Sequence, residues 1–142
     1  MLESEVTFSV KAAPSRVWNI LSNPELVGRC VPMVDQVRVI RPGVAEWTLK
    51  LKLGPITKTI KLRSKVVQQD PPSHASFKGE GENLSLAGEV DLRALPSGES
   101  EVCYKLRIDA RGSLAKITES VARRKSESLK QEIVERIRSA VE

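Results

Sequence analysis

Between residues 34 and 110, apolar side chains recur at every second position in run after run, and beyond residue 112 the period changes. Residues 44–53 set Trp47, Leu49, Leu51 and Leu53 on one face and Thr48, Lys50 and Lys52 on the other. Residues 84–95 set Leu84, Leu86, Gly88, Val90 and Leu92 against Ser85, Glu89, Asp91 and Arg93. Residues 101–110 set Val102, Tyr104, Leu106, Ile108 and Ala110 against Cys103, Lys105, Arg107 and Asp109. The chain opens the same way, with Val6, Phe8 and Val10 on one face over residues 4–10. Period two belongs to half-buried antiparallel strands with one wet face. Less regular runs predict further strands over 34–41, 56–69 and 74–81, giving seven. Turns are marked at Pro42-Gly43, Gly54-Pro55, Pro71-Pro72 and Pro96-Ser97-Gly98.

Helical spacing appears in three places. Over residues 13–21, Pro14 suits a first helical position, and Val17, Trp18 and Leu21 share a face. A short helical turn is predicted over 24–28. A long helix is predicted over about 113–141, opened by Gly112-Ser113. Its apolar positions are Leu114, Ile117, Val121, Leu129, Ile133, Ile137 and Val141. A curved sheet with one apolar face needs a cover, and only the long helix is large enough to supply it. The expected fold is α+β: a seven-stranded antiparallel sheet wrapped on the C-terminal helix, with two short helices after strand 1. This is the helix-grip architecture of START-like proteins, and 142 residues fit it as a single domain over 1–142.

Composition narrows the function. No apolar run approaches the roughly 20 residues of a membrane span. The start, Met1-Leu2-Glu3-Ser4-Glu5, is acidic and lacks the apolar stretch of a secretory signal, so a cytoplasmic location is expected. Two isolated cysteines and one histidine argue against a Cys/His zinc site, and neither metal nor cofactor is expected. The net charge of +5 invites nucleic acid, but acidic residues are scattered among the basic ones. Aromatics make up only 4%, too few for a stacking platform, so nucleic acid is not an expected partner. Attraction to an anionic membrane surface fits the charge equally well.

Signals for catalysis are poor. There is no Walker A motif, no dinucleotide fingerprint and no HExxH. Gly79-Glu80-Gly81 is not followed by a helical pattern. His74 has no positioned partner evident in sequence, and Cys30 and Cys103 have no adjacent base. No catalytic residue is assigned.

More informative is a set of gaps in the apolar stripes. Gly79 and Gly81 follow Phe77 on one parity, and Gly88 sits between Leu86 and Val90. On the long helix the stripe lapses from Ala122 to Ser128, and the four-residue step from Val121 lands on Lys125. A ligand cavity tolerates small or amphipathic residues at such points, where a packed core wants large apolar ones. The alternative is a plain core, with Lys125 snorkelling outward and the glycines serving bends. Lys50, Lys52, Lys61, Arg63, Lys65, Lys105, Arg107 and Arg111 are expected on the outer sheet face. They make either a solvated face that discourages edge pairing or a docking surface for an acidic partner or membrane.

Several segments together resemble the CoxG family of carbon monoxide dehydrogenase subunits, within the START-like, polyketide cyclase and lipid-transport (SRPBCC) superfamily. They are Phe8-Ser9-Val10-Lys11-Ala12-Ala13-Pro14 with Val17-Trp18 and Leu21; Cys30-Val31-Pro32; Leu53-Gly54-Pro55-Ile56; Gly79-Glu80-Gly81 with Gly88; and Asp109-Ala110-Arg111-Gly112-Ser113-Leu114-Ala115. The resemblance implies a hydrophobic cavity between sheet and long helix. It also implies a lipid- or quinone-like ligand, and a part in maturation or membrane recruitment of molybdenum hydroxylases such as carbon monoxide dehydrogenase. Some members carry a C-terminal anchoring extension. Here Glu142 follows the helix directly, so any membrane contact is expected to be peripheral.

By parity, the expected cavity lining is Trp18, Trp47, Leu49, Phe77, Leu86, Tyr104, Leu106, Val121, Ala122 and Leu129, with core packing the alternative for each apolar one. Tyr104 is the expected internal hydrogen-bond donor and Lys125 the charged contact at the mouth. The expected function is binding of a hydrophobic small molecule rather than catalysis. Two alternatives stay open. One is a cyclase or hydrolase in the same cavity, with Asp109 and Glu80 as remote candidate bases. The other is an adaptor, as monomer or homodimer, that recruits a redox enzyme through the basic face.

Overall fold

The computed structural model describes residues 2–53 and 55–142, and at Leu53 the backbone alone. The expected face of Leu53 and the expected turn at Gly54 lie outside the described residues. The elements are β1 (Leu2–Val10), α1 (Pro14–Leu21), α2 (Pro24–Cys30), β2 (Val34–Arg41), β3 (Val44–Leu53), β4 (Ile56–Asp70), β5 (His74–Gly81), β6 (Leu84–Ala94), β7 (Ser100–Ala110) and α3 (Ser113–Val141). Their order and type match the sequence reading. α2 runs two residues past its predicted end at Gly28. Pro24 stands at its start, and the Asn23 side chain caps it by accepting from the Glu25 amide at 3.0 Å.

All seven strands form one antiparallel sheet in the order β1-β7-β6-β5-β4-β3-β2, with β1 and β2 at the edges. The register lines up the inward residues in rows across the sheet. One row runs Val6, Tyr104, Val90, Ala75; the next runs Leu106, Gly88, Phe77, Val66. A third runs Ile108, Leu86, Gly79, Ser64, Ala45. Directly opposed residues in an antiparallel pair share a face, so these rows assign the sides that period two implied.

The glycines in these rows are filled by their neighbours. A Cβ on Gly88 would meet the Phe77 ring, 2.9 and 3.0 Å from its Cε atoms. One on Gly79 would lie 3.0 Å from Leu86 and 3.2 Å from Leu62. Both glycines let a large side chain from the adjacent strand cross over them. They do not open a void, and the cavity reading of these positions is corrected accordingly.

The core is divided in two. One cluster joins Phe8, Val10, Val17, Cys30, Leu92, Val102, Ile137 and Val141. The other joins Leu51, Ile60, Leu62, Leu84 and Leu114. α3 enters the second with Leu114 and the first with Ile137 and Val141, and no residue from 115 to 136 is fully buried. At 1.5 Å per residue, about 35 Å of helix separates the two anchorages. The C-terminal anchorage is also stitched to β1 and the residue after it. Arg138 Nε donates to the Ser9 carbonyl at 3.1 Å, and its guanidinium lies over the Phe8 ring at 5.9 Å. The Lys11 amide donates to Glu142 at 2.8 Å. This is the expected helix-grip arrangement. No helix among the described residues is long and apolar enough to cross a membrane.

Candidate functional site

Beneath the unburied middle of α3 lies a groove of about 540 Å³, between that helix and the β2–β3 edge of the sheet. Its size falls in the range usual for small-molecule sites. The sheet side supplies Met33, Val34 and Leu51; the helix side supplies Val121 and Leu129. Around these apolar residues stand Asp35, Lys50, Lys52, Lys125, Ser128 and Glu132.

Local structure explains the placement. Chain leaving α2 turns back on itself, with the Val34 amide donating to the Val31 carbonyl at 3.1 Å. The Lys50 amide then donates to the Met33 carbonyl at 2.9 Å, which holds this linker against β3. Lys125 Nζ crosses from helix to sheet and donates to the Lys52 carbonyl at 3.4 Å. Lys50 Nζ lies 3.7 Å from the Asp35 carboxylate. Three lysines face two carboxylates around the groove, so its net local charge is positive. Apolar walls under a cationic rim suit a ligand with an apolar body and an oxygen-bearing head.

Of the residues expected to line a cavity, Val121, Lys125 and Leu129 meet in this groove. Ala122 is half-buried on the next helical position. Trp47, Leu49 and Leu86 pack against the second core cluster, and the Trp47 indole donates to Ser64 Oγ at 2.8 Å. Trp18 and Tyr104 pack against the first cluster, at the opposite end. Phe77 covers Gly88, and Leu106 sits beside Gly88 on the next strand. The expected set is thus divided among the two core clusters, the centre of the sheet and the groove, which takes up Val121, Lys125 and Leu129. Met33, Val34, Asp35 and Leu51 escaped the sequence reading. Leu51 shares its parity with Leu49, but the position of the linker beside α3 is set only by tertiary packing.

Tyr104 is half-buried, and desolvation pushes its phenol above the ordinary value. Its hydroxyl has no hydrogen-bond partner among the described residues, although sequence had suggested one. Cys30 is buried, which pushes its thiol up against the opposing pull of Arg136 and disfavours the nucleophilic thiolate. His74 does have a partner: Nδ1 lies 2.7 Å from Asp91 Oδ1. The two are 17 residues apart and meet because the β5–β6 register sets them opposite each other. That hydrogen bond raises the imidazole pKa, with Glu89 and Asp70 adding to it. The pair is on the outer face, away from the groove.

The expected basic outer face is partly neutralised, since Lys52, Lys61 and Lys65 have no ion-pair partner among the described residues. Arg63 pairs with Glu46, Lys105 with Glu89, Arg107 with Glu3 and Arg111 with Asp109. Glu46 bonds both Arg63 and Arg38, and those two hydrogen bonds hold its carboxyl below the usual range. No cluster of three metal-ligating side chains occurs among the described residues.

A family model described as CoxG, a subunit of carbon monoxide dehydrogenase, matches residues 7–142. No curated protein matches the chain. Among solved structures, a conserved protein from Geobacillus kaustophilus is similar, with a TM-score of 0.82 at 17% identity, over 99% of this chain and 95% of that one. A START superfamily protein from Mycobacterium smegmatis gives 0.74 at 12% identity, over 98% and 96%. The Zhui aromatase/cyclase from Streptomyces sp. R1128 gives 0.69 at 15% identity, over 99% and 96%. Likeness at such identities speaks for the fold alone.

Proposed function

Because the chain belongs to the CoxG family of carbon monoxide dehydrogenase subunits, we propose that it carries a hydrophobic small molecule, lipid- or quinone-like, in the groove under α3. In this reading it works in the cytoplasm and supports the maturation or recruitment of a molybdenum hydroxylase such as carbon monoxide dehydrogenase. The observation that carries the ligand reading is the middle of α3. No residue from 115 to 136 is fully buried, and the groove lies under that stretch.

Sequestration is the mechanism. Each Å² of apolar ligand surface removed from water contributes about 25 cal/mol, so covering about 200 Å² gains roughly 5 kcal/mol before ordering costs. Val121, Leu129, Met33 and Leu51 provide the apolar contact. Lys125 Nζ, held by one long hydrogen bond, is the donor available for a carbonyl or anionic oxygen at the rim. No covalent step is required.

The test is native mass spectrometry of gently purified protein, before and after exposure to a lipid extract, with organic extraction of whatever is bound. A near-stoichiometric adduct is expected, and Val121→Glu and Leu129→Glu should lose it while retaining the wild-type circular dichroism spectrum. A clean unliganded mass with no uptake, or uptake unchanged in both variants, overturns the reading.

A further inference from the structure

The β3–β4 hairpin concentrates the charge of the whole chain. From residue 47 to residue 69 there are six basic residues, Lys50, Lys52, Lys58, Lys61, Arg63 and Lys65, and no acidic one. Outside this stretch the 17 remaining basic residues face 18 acidic ones, so the rest of the chain is slightly negative. With Glu46 and Asp70 counted as well, the hairpin from 44 to 70 carries +4 of the net +5. Arg93, Lys105 and Arg107 are matched across strands and Arg111 pairs with nearby Asp109, but Lys52, Lys58, Lys61 and Lys65 have no ion-pair partner among the described residues, nor has Lys78, which stands opposite Lys65 on β5.

The tip of this hairpin is apolar. Ile56 is 64% exposed, the largest exposure of any large hydrophobic side chain among the described residues, and Pro55 beside it is exposed. Lys52 opposes Thr57 and Lys58 opposes Leu51, which puts one lysine on each face of the ribbon. Both lie within about 7 Å of Ile56 along the strands, inside a physiological Debye length of about 8 Å. An exposed apolar tip in a collar of unpaired lysines matches an anionic bilayer, where the tip enters the interface and the collar meets the headgroups. Nucleic acid fits less well: the indole of the hairpin's single aromatic, Trp47, is turned inward to Ser64.

We propose that the β3–β4 hairpin docks the protein on an anionic phospholipid surface. The hairpin also borders the groove, through Lys50, Leu51 and Lys52, and Lys125 reaches the Lys52 carbonyl from α3. Docking on the tip therefore brings the groove mouth to the lipid surface. The proposal deepens the carrier reading by naming where the ligand is exchanged; it rests on that reading only for its purpose, since vesicle binding and ligand uptake are separate measurements.

Flotation with phosphatidylcholine vesicles, with and without phosphatidylglycerol, tests it. Binding is expected only with phosphatidylglycerol and should weaken as salt is added. Each lysine lost should cost about five-fold in affinity, so Lys52→Gln with Lys58→Gln should cost about 25-fold. Ile56→Asp should abolish binding. Lys105→Gln with Arg107→Gln removes the same charge from the far side of the sheet and should change affinity by less than about two-fold. All these side chains are exposed, so wild-type melting temperatures are expected. No binding, equal binding to neutral vesicles, an equal loss in the distal pair, or tip-dependent binding to duplex DNA in preference to vesicles overturns the proposal.

Discussion

Adding one methyl group at Gly88 puts a carbon 2.9 and 3.0 Å from the two Cε atoms of Phe77, and closer still to Cζ. The ring is hemmed in. It lies opposite Gly88 on β5, in a row closed by Leu106 on one side and Val66 on the other. Two terms compete in Gly88→Ala. Gly88 is not among the residues with positive φ, so alanine meets no backbone penalty, and the stiffer unfolded chain gives back about 0.4–1 kcal/mol. Forcing the ring aside costs about 1–3 kcal/mol. Crowding wins, with a net loss of about 1–2 kcal/mol. With about 2.1 cal/mol/K of unfolding entropy per residue, a chain of this length loses about 3–7 °C in Tm. Urea denaturation and thermal circular dichroism measure both. The same substitution in a Phe77→Leu background should cost nothing, because the atoms it strikes are gone, giving a coupling of about 1–2 kcal/mol. If Gly88→Ala matches the wild type, or costs the same in both backgrounds, the ring is not held over Gly88. The centre of the sheet is then loosely packed, and the void the glycines suggested in sequence returns.

The anchorages of α3 make further predictions. Ile137→Ala, in the first core cluster, should cost about 2–5 kcal/mol by urea denaturation, and Leu129→Ala, half-buried at mid-span, clearly less; equal costs would mean that α3 is not held mainly at its ends. Ser100 is wholly buried and donates from Oγ to the Ala12 carbonyl at 2.6 Å, so Ser100→Ala should cost about 1–2 kcal/mol, and a neutral result would show that water replaces the bond. The folded His74 pKa lies above the unfolded value, so its contribution to stability is present below the ordinary histidine range and is lost as pH rises through the folded pKa. Asp91→Asn should lower that pKa in an NMR titration of the imidazole; an unchanged midpoint refutes the pairing.

Strand faces were legible because period two is local: Trp47, Leu49 and Leu51 read inward from their own neighbours, and the register agrees. The lapse around Lys125 was legible for the same reason, since a helix face is set by its own spacing. What escaped depends on distant residues. Met33, Val34 and Asp35 border the groove because a hydrogen bond from Lys50 holds the linker beneath α3. His74 meets Asp91 because two strands align, which no spacing within either strand reveals. The glycines misled because a sequence shows where a side chain is missing and not which neighbour fills the place. Net charge was read as a property of the chain, yet most outer-face arginines are matched across strands and most of the surplus sits on one hairpin.

Fixed at Leu114 and again at Ile137 and Val141, α3 behaves as a beam resting on two supports. A beam deflects most at mid-span, and mid-span is where the groove lies. Ile117 packs against one support and Ile133 against the other, and ordinary helix curvature, with a radius of about 60–100 Å, lifts the centre of the roughly 24 Å between them by about 1 Å while both supports stay seated. On the carrier reading proposed above, ligands of slightly unequal girth would be taken by gentle bending of one helix, with neither core cluster disturbed.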